Sequence, residues 1–184
     1  SALHKAVRGS DPDAALYWLC RMLEGGEDPE FIARRLVILA SEDVGLADSN
    51  GLQVAVAAAN ALAYVGLPEA EYHLTHATLY LSTAPKSNSI GKAMAAGKSA
   101  VTDGPTPSVP MALRSTGYSG AGDLGHGDGY LYPHDHPTGV VAQQYLPDGL
   151  TNEPLYKPGV HGAEKTIKER LERIDRILGR DGRD

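Results

Sequence analysis

A chain of 184 residues with 42% apolar content is long enough for one domain that buries roughly 70% of the surface its unfolded form exposes. Its single cysteine, Cys20, excludes an intramolecular disulfide framework and fits a reducing compartment. A formal charge of −6 excludes coating nucleic acid by bulk attraction, no apolar run can span a bilayer and the N-terminus lacks a signal-peptide pattern, so a soluble, cytosolic, globular protein is expected.

The first hundred residues read as successive helices. Ser10-Asp11-Pro12-Asp13 is a helix start, with a Ser cap, Pro in the first turn and acids at the positive dipole end. Leu16, Leu19, Cys20 and Leu23 follow at helical spacing, which places the Cys20 thiol on an apolar core stripe, and Gly25-Gly26 stops the helix. Asp28-Pro29 starts the next, with Ile32, Leu36 and Leu39 on one face and Gly45 beyond its end. Ser49 or Asn50 caps an Ala-rich third helix that runs to Gly66, and Pro68 opens a fourth that Pro85 closes. Ser87-Asn88 opens a fifth, with Ile90, Met94, Gly97 and Val101 along one stripe. Residues 102–162 hold eleven Gly and eight Pro, which disfavours helix interiors and predicts loops and short turns. The last helix runs from Ala163 to Leu178, with Ile167, Leu171, Ile174 and Leu178 at spacings of 4, 3 and 4. The fold class is all-α, a multi-helix bundle with a Gly/Pro-rich loop segment.

Several motifs resemble chemistry without completing it. Gly97-Lys98-Ser99 looks like the end of a phosphate-binding loop, but five residues separate it from Gly91 where four are needed, and a helix precedes it instead of a strand. His134-Asp135-His136 could ligate a cation, yet zinc needs three or four converging ligands, and the flanking Pro133 and Pro137 suggest a rigid turn with Asp135 bonded to local backbone. His73 and His76 share a helical face without a third ligand and read as half-exposed. Gly117 to Gly129 holds six glycines without an adjoining strand, so it reads as a flexible loop and not as a dinucleotide fingerprint.

A resemblance enters at particular phrases. Gly9 to Leu19, Ile32-Ala33-Arg34-Arg35-Leu36, Ala40-Ser41-Glu42-Asp43-Val44-Gly45-Leu46-Ala47-Asp48 and Tyr80-Leu81-Ser82-Thr83-Ala84-Pro85-Lys86-Ser87-Asn88 occur in that order. Val109-Pro110 with Leu113-Arg114, then Gly127 to Tyr130 and Tyr132-Pro133-His134-Asp135, continue it. Together they resemble the replication-associated recombination protein A family, AAA+ ATPases related to clamp loaders and to the Werner-helicase-interacting ATPase. The resemblance implies that the ATPase core, with its ATP and Mg²⁺ sites, lies upstream of Ser1, so that this part has no cofactor and no catalytic residue of its own. It implies that residues 1–26 are the end of the AAA+ lid, including the start of the sensor-2 helix. Pro12 stands where related lids carry an arginine, so any sensor role falls to Arg8 or Lys5. Residues 27–184 would form a helical C-terminal oligomerisation domain, a homotetramer resembling a clamp-loader collar. The parent would act with replication proteins at stalled forks and DNA junctions in recombination and repair, in the nucleoid-bearing cytoplasm and not at a membrane. Gly117 to Asp123 departs from the Lys-bearing, helix-compatible stretch of relatives, which removes the basis for a shared contact there.

The motif residues of interest are therefore structural or interface candidates: Arg34, Arg35, Glu42, Asp43, Lys86, Ser87, Asn88, Tyr130, His134 and Asp135. The charges Arg34-Arg35 and Glu42-Asp43, at opposite ends of one helix, read as a solvated face before they read as partners across subunits. Ser87 or Asn88 reads as a helix cap before it reads as part of an anion site. Of nine tyrosines, five follow residue 117 and are expected to anchor the loops to the helices. His134 and Asp135 are expected to bond backbone or tyrosine groups. The alternatives are a DNA- or protein-binding module without self-assembly, and a metal-dependent hydrolase built on His134, Asp135 and His136.

Overall fold

The computed structural model describes residues 1–104, 106–150, 154–180 and 182. Among the described residues the chain is all-α, as the periodicity predicts, and contains no strand. The α-helices are α1 (Ala2–Arg8), α2 (Pro12–Glu24), α3 (Pro29–Leu39), α4 (Asn50–Val65), α5 (Glu71–Thr83), α6 (Ser89–Thr102) and α7 (Glu164–Leu178). The chain divides into two compact units, residues 1–92 with 158–167, and residues 93–157 with 168–184.

In the first unit, α4 packs on α3 and α5, and α2 packs on α1 and α5. The buried stripes explain this: Ile32, Leu36 and Leu39 of α3, Ala55, Ala58 and Leu62 of α4, and Leu74, Ala77 and Leu81 of α5 recur at helical spacing and meet in one core. Asp11 and Asp28 are the N-caps of α2 and α3, accepting from the Ala14 and Glu30 amides, each with proline at the first helical position. The cap of α2 is thus Asp11 and not Ser10, whose φ of 59° puts it outside the helix in a turn. Cys20 is exposed, because Ala15 and Leu19 define the buried line of α2 and the thiol lies beyond its edge. Helix α5 starts at Glu71, three residues after Pro68, following a turn. Residues 1–26 contribute Leu3, Val7, Ala15 and Leu19 to this same core.

Among the described residues, one buried side-chain atom lacks a partner. The Thr78 hydroxyl is fully buried in α5 with no hydrogen bond, while Ser82 in the next turn donates to the Thr78 carbonyl. Valine has the same branched shape without the polar atom to desolvate. Thr78→Val is therefore expected to raise unfolding stability by about 1 kcal/mol in urea denaturation; a loss of stability would show that the hydroxyl has a partner after all.

The second unit carries the Gly/Pro-rich segment, and its described backbone is mainly loop with short 3₁₀ turns at Met111–Leu113, Gly122–Leu124 and Pro133–Asp135. Of its described apolar residues only Ala121 and Val141 are buried. Two of the tyrosines here bond to neighbours within the segment. Tyr118 Oη lies 2.5 Å from His126 Nδ1, and Gln143 donates to Tyr145 Oη at 2.8 Å. Met94 and Val101, expected on a packed stripe of α6, are 58% and 77% exposed.

Candidate functional site

Two of the phrases that carry the family resemblance meet in the first unit. Beyond Leu39 the helical path widens into a π-helical turn, Ala40–Val44, which carries Glu42 and Asp43. Asp43 is 7% exposed, so its carboxylate must be compensated. Arg8, at the last position of α1, does this: Nε donates to Asp43 Oδ1 at 2.5 Å, and Nη2 reaches Asp43 Oδ2 at 3.3 Å and Glu42 Oε1 at 3.2 Å. The bond to Asp43 holds the Arg8 guanidinium above its ordinary pKa, reinforced by the charge of Asp43 and, less, of Glu42.

His4, one turn earlier on α1, completes the cluster. Its Nε2 lies 3.2 Å from Asp43 Oδ2, and its Nδ1 lies 2.9 Å from Arg35 Nη2. An arginine can only donate, so Nδ1 accepts from Arg35, while at Nε2 the Asp43 carboxylate asks for a proton and Arg8 for a lone pair; no single tautomer serves all three contacts. Arg8 Nη2 stands 2.7 Å from the same Nε2 as it spans both carboxylates. Reading Arg34-Arg35 and Glu42-Asp43 as one solvated face is corrected here: Arg34 does sit outside, near Asp28 and Glu30, whereas Asp43 is buried and Arg35 turns to His4.

The second phrase closes on the first through backbone. The Ser87 amide donates to the Asp43 carbonyl at 2.7 Å. Lys86 Nζ donates to the Ser82 and Ala84 carbonyls at 3.1 and 2.6 Å, capping the exposed end of α5. Burial pushes the Lys86 ammonium below its ordinary pKa, opposed by the charge of Asp43. Ser87 Oγ accepts from the Ser89 amide at 3.2 Å, so Ser87 satisfies the first free N–H of α6 from the position before Asn88. Ser89 in turn donates to the fully buried Glu164, whose other oxygen accepts from the Gly159 amide at 2.9 Å. The Ala163 amide donates to the Ala47 carbonyl at 2.8 Å, fixing residues 158–167 to the same junction. Tyr80 adds a bond from its hydroxyl to Asp48 at 2.7 Å, which raises the phenol pKa.

Chemically, the cluster neutralises charge and locks three chain segments. His4, Glu42 and Asp43 bring ligand atoms within 4.8 Å of one another, the one such metal-competent triad among the described residues. Arg8 already supplies the cation those carboxylates face, so the group fits an ion-pair network and not a metal centre. His134, Asp135 and His136 do not converge: they lie on and after a 3₁₀ turn, His134 stacking 5.1 Å from Tyr132 and Asp135 exposed. Tyr130 is 44% exposed in the second unit. Gly97-Lys98-Ser99 lies within α6, the wrong setting for a phosphate loop. Residue-level reasoning missed His4 and the short helix α1; the available signal was the Leu3–Val7 spacing beside two basic or titratable side chains.

The class defined is an all-α helical bundle whose family-specific phrases serve internal locking. Residues 9–175 match the family model described as MgsA AAA+ ATPase C terminal, and the chain belongs to that family. It is 54% identical over 178 residues to an uncharacterised AAA domain-containing protein of Mycobacterium tuberculosis, covering 97% of this chain and 39% of the relative. It is 46% identical over 175 residues to Replication-associated recombination protein A of Haemophilus influenzae, covering 95% and 39%. ATPase WRNIP1 of Dictyostelium discoideum is 42% identical over 158 residues, covering 85% and 18%. The chain thus spans about two fifths or less of the length of these relatives.

Proposed function

We propose that this chain is the self-associating C-terminal domain of an AAA+ ATPase that acts in replication-associated recombination and repair, and that it assembles as a homotetramer. The observation that carries the reading is the apolar surface of the first unit: Tyr64 is 92%, Tyr72 81%, Ile38 48% and Leu52 41% exposed, in a chain without a basic stripe for autonomous nucleic-acid binding. Relatives named for replication-associated recombination supply the process, and the resemblance to clamp-loader collars supplies the number four. In this reading ATP and Mg²⁺ bind elsewhere in the parent protein, residues 1–26 belong to its lid, and DNA junctions and replication proteins are partners of the assembled ATPase in the nucleoid-bearing cytoplasm. The His4–Arg8–Asp43 junction holds the lid-like helices rigidly against the rest of the first unit. No helix among the described residues is long and apolar enough to cross a membrane. Sedimentation equilibrium from micromolar to hundred-micromolar concentration is expected to give four times the single-copy mass of 19.4 kDa; a single-copy species throughout would overturn the assembly reading.

A further inference from the structure

A mainly apolar hollow of about 280 Å³ opens in the first unit among residues of α1, α2 and α3. Leu3 and Leu36 supply buried wall, Met22 lines it from α2, and Phe31, 41% exposed, lines it from α3. Its polar lining is Ser1, His4 and Arg35.

Arg35 differs from the other two arginines of α1 and α3. Arg8 faces Glu42 and Asp43, and Arg34 faces Asp28 and Glu30. Among the described residues no carboxylate pairs with Arg35, whose Nη2 instead donates to His4 Nδ1 at 2.9 Å. An imidazole lone pair orients a guanidinium without neutralising it, so Arg35 keeps its charge and its other N–H donors for a further acceptor. A half-buried cation beside an apolar hollow selects a ligand that brings a carboxylate and an apolar group together. Size narrows the choice. Small-molecule sites enclose most of their ligand in about 300–1,000 Å³, whereas this hollow takes little more than one large side chain. A nucleobase here would bury its ring donors and acceptors against leucine and methionine without partners.

We propose that this hollow docks a segment of another protein in which an acidic side chain adjoins a large apolar one. Arg35 holds the carboxylate, His4 holds Arg35, and the apolar side chain fills the space beside Leu3, Met22 and Leu36. The probes are N-acetyl-Asp-Phe-amide and its uncharged match, N-acetyl-Asn-Phe-amide, titrated at low salt into the methyl-labelled full chain. NMR shifts of the Leu3, Met22 and Leu36 methyls are expected to saturate with the Asp peptide at a Kd of about 1 mM or tighter, and with the Asn peptide about 10-fold more weakly. Arg35→Gln should abolish that difference, and Phe31→Ala should weaken both peptides alike, about 5-fold. An Asp preference that survives Arg35→Gln overturns the proposal, because another cation, such as the Ser1 amine, then reads the charge. Equal affinities on the unsubstituted chain, or no saturation up to about 10 mM, overturn it without any variant having to fold. Shifts that follow protein concentration and not peptide would give the hollow to a second copy, and tighter binding of phenylpropanoate would give it to a small acid; either result also overturns the docking.

Discussion

Arg8→Ala is expected to destabilise the first unit by about 2 kcal/mol in urea denaturation. Removing one partner of a buried ion pair commonly costs 3–5 kcal/mol, because the remaining charge loses both its partner and its access to water. The lower figure applies because the Arg8 side chain is 48% exposed, so water enters on its departure. Asp43, at 7%, is the group left stranded, with His4 as its remaining donor. Adding Asp43→Asn should recover part of the loss by removing the charge at constant volume, giving a coupling energy of about 1 kcal/mol in a double-mutant cycle. An Arg8→Ala variant within 0.5 kcal/mol of the parent would show that the cluster is a surface decoration.

Gly162→Ala is expected to be costlier still, about 3 kcal/mol or more. At φ 55° any side chain is strained, and a Cβ here would fall on the Ala47 carbonyl oxygen and 2.7 Å from Pro85 Cγ. Both are rigid, and both belong to the junction that residues 158–167 close. Gly26→Ala separates the two contributions: it has φ 76° at the end of α2 but nothing within 4 Å, so only the backbone strain of about 1 kcal/mol is expected. Amide exchange at Ala163, whose N–H bonds Ala47, should accelerate in the first variant and not in the second. Equal effects of the two substitutions would dismiss the close approach as the cause.

Helices longer than about ten residues were legible because apolar spacing and capping chemistry agree along them; Asp28-Pro29 at α3 and Gly66 after α4 are examples. Helix α1 was not, since seven residues give too few repeats for a period to show. The Arg8–Asp43 pair joins residues 35 apart, and Ser89–Glu164 residues 75 apart; such distances leave no trace in local spacing. Charged residues also obey a one-sided expectation of exposure, which Asp43 and Glu164 break because specific donors surround them. Cys20 failed in the opposite sense: the stripe that included it was one residue too wide. The family phrases single out residues as a group, whereas only the fold shows that two of the phrases meet, through the Ser87 amide and the Asp43 carbonyl.

The discontinuity of the first unit bears on how the chain is made. Residues 93–157, which belong to the second unit, separate Lys92 from the ten residues 158–167 that seat Glu164 and Ala163 on the junction. During synthesis at about 5–20 residues per second, those 65 intervening residues emerge over roughly 3–13 s. Through that interval the Ala47 carbonyl and the Ser89 hydroxyl await partners, although α1 to α5 can already collapse on their shared core. The nascent chain therefore passes through a stage in which most apolar burial is complete but its last latch has yet to leave the ribosome.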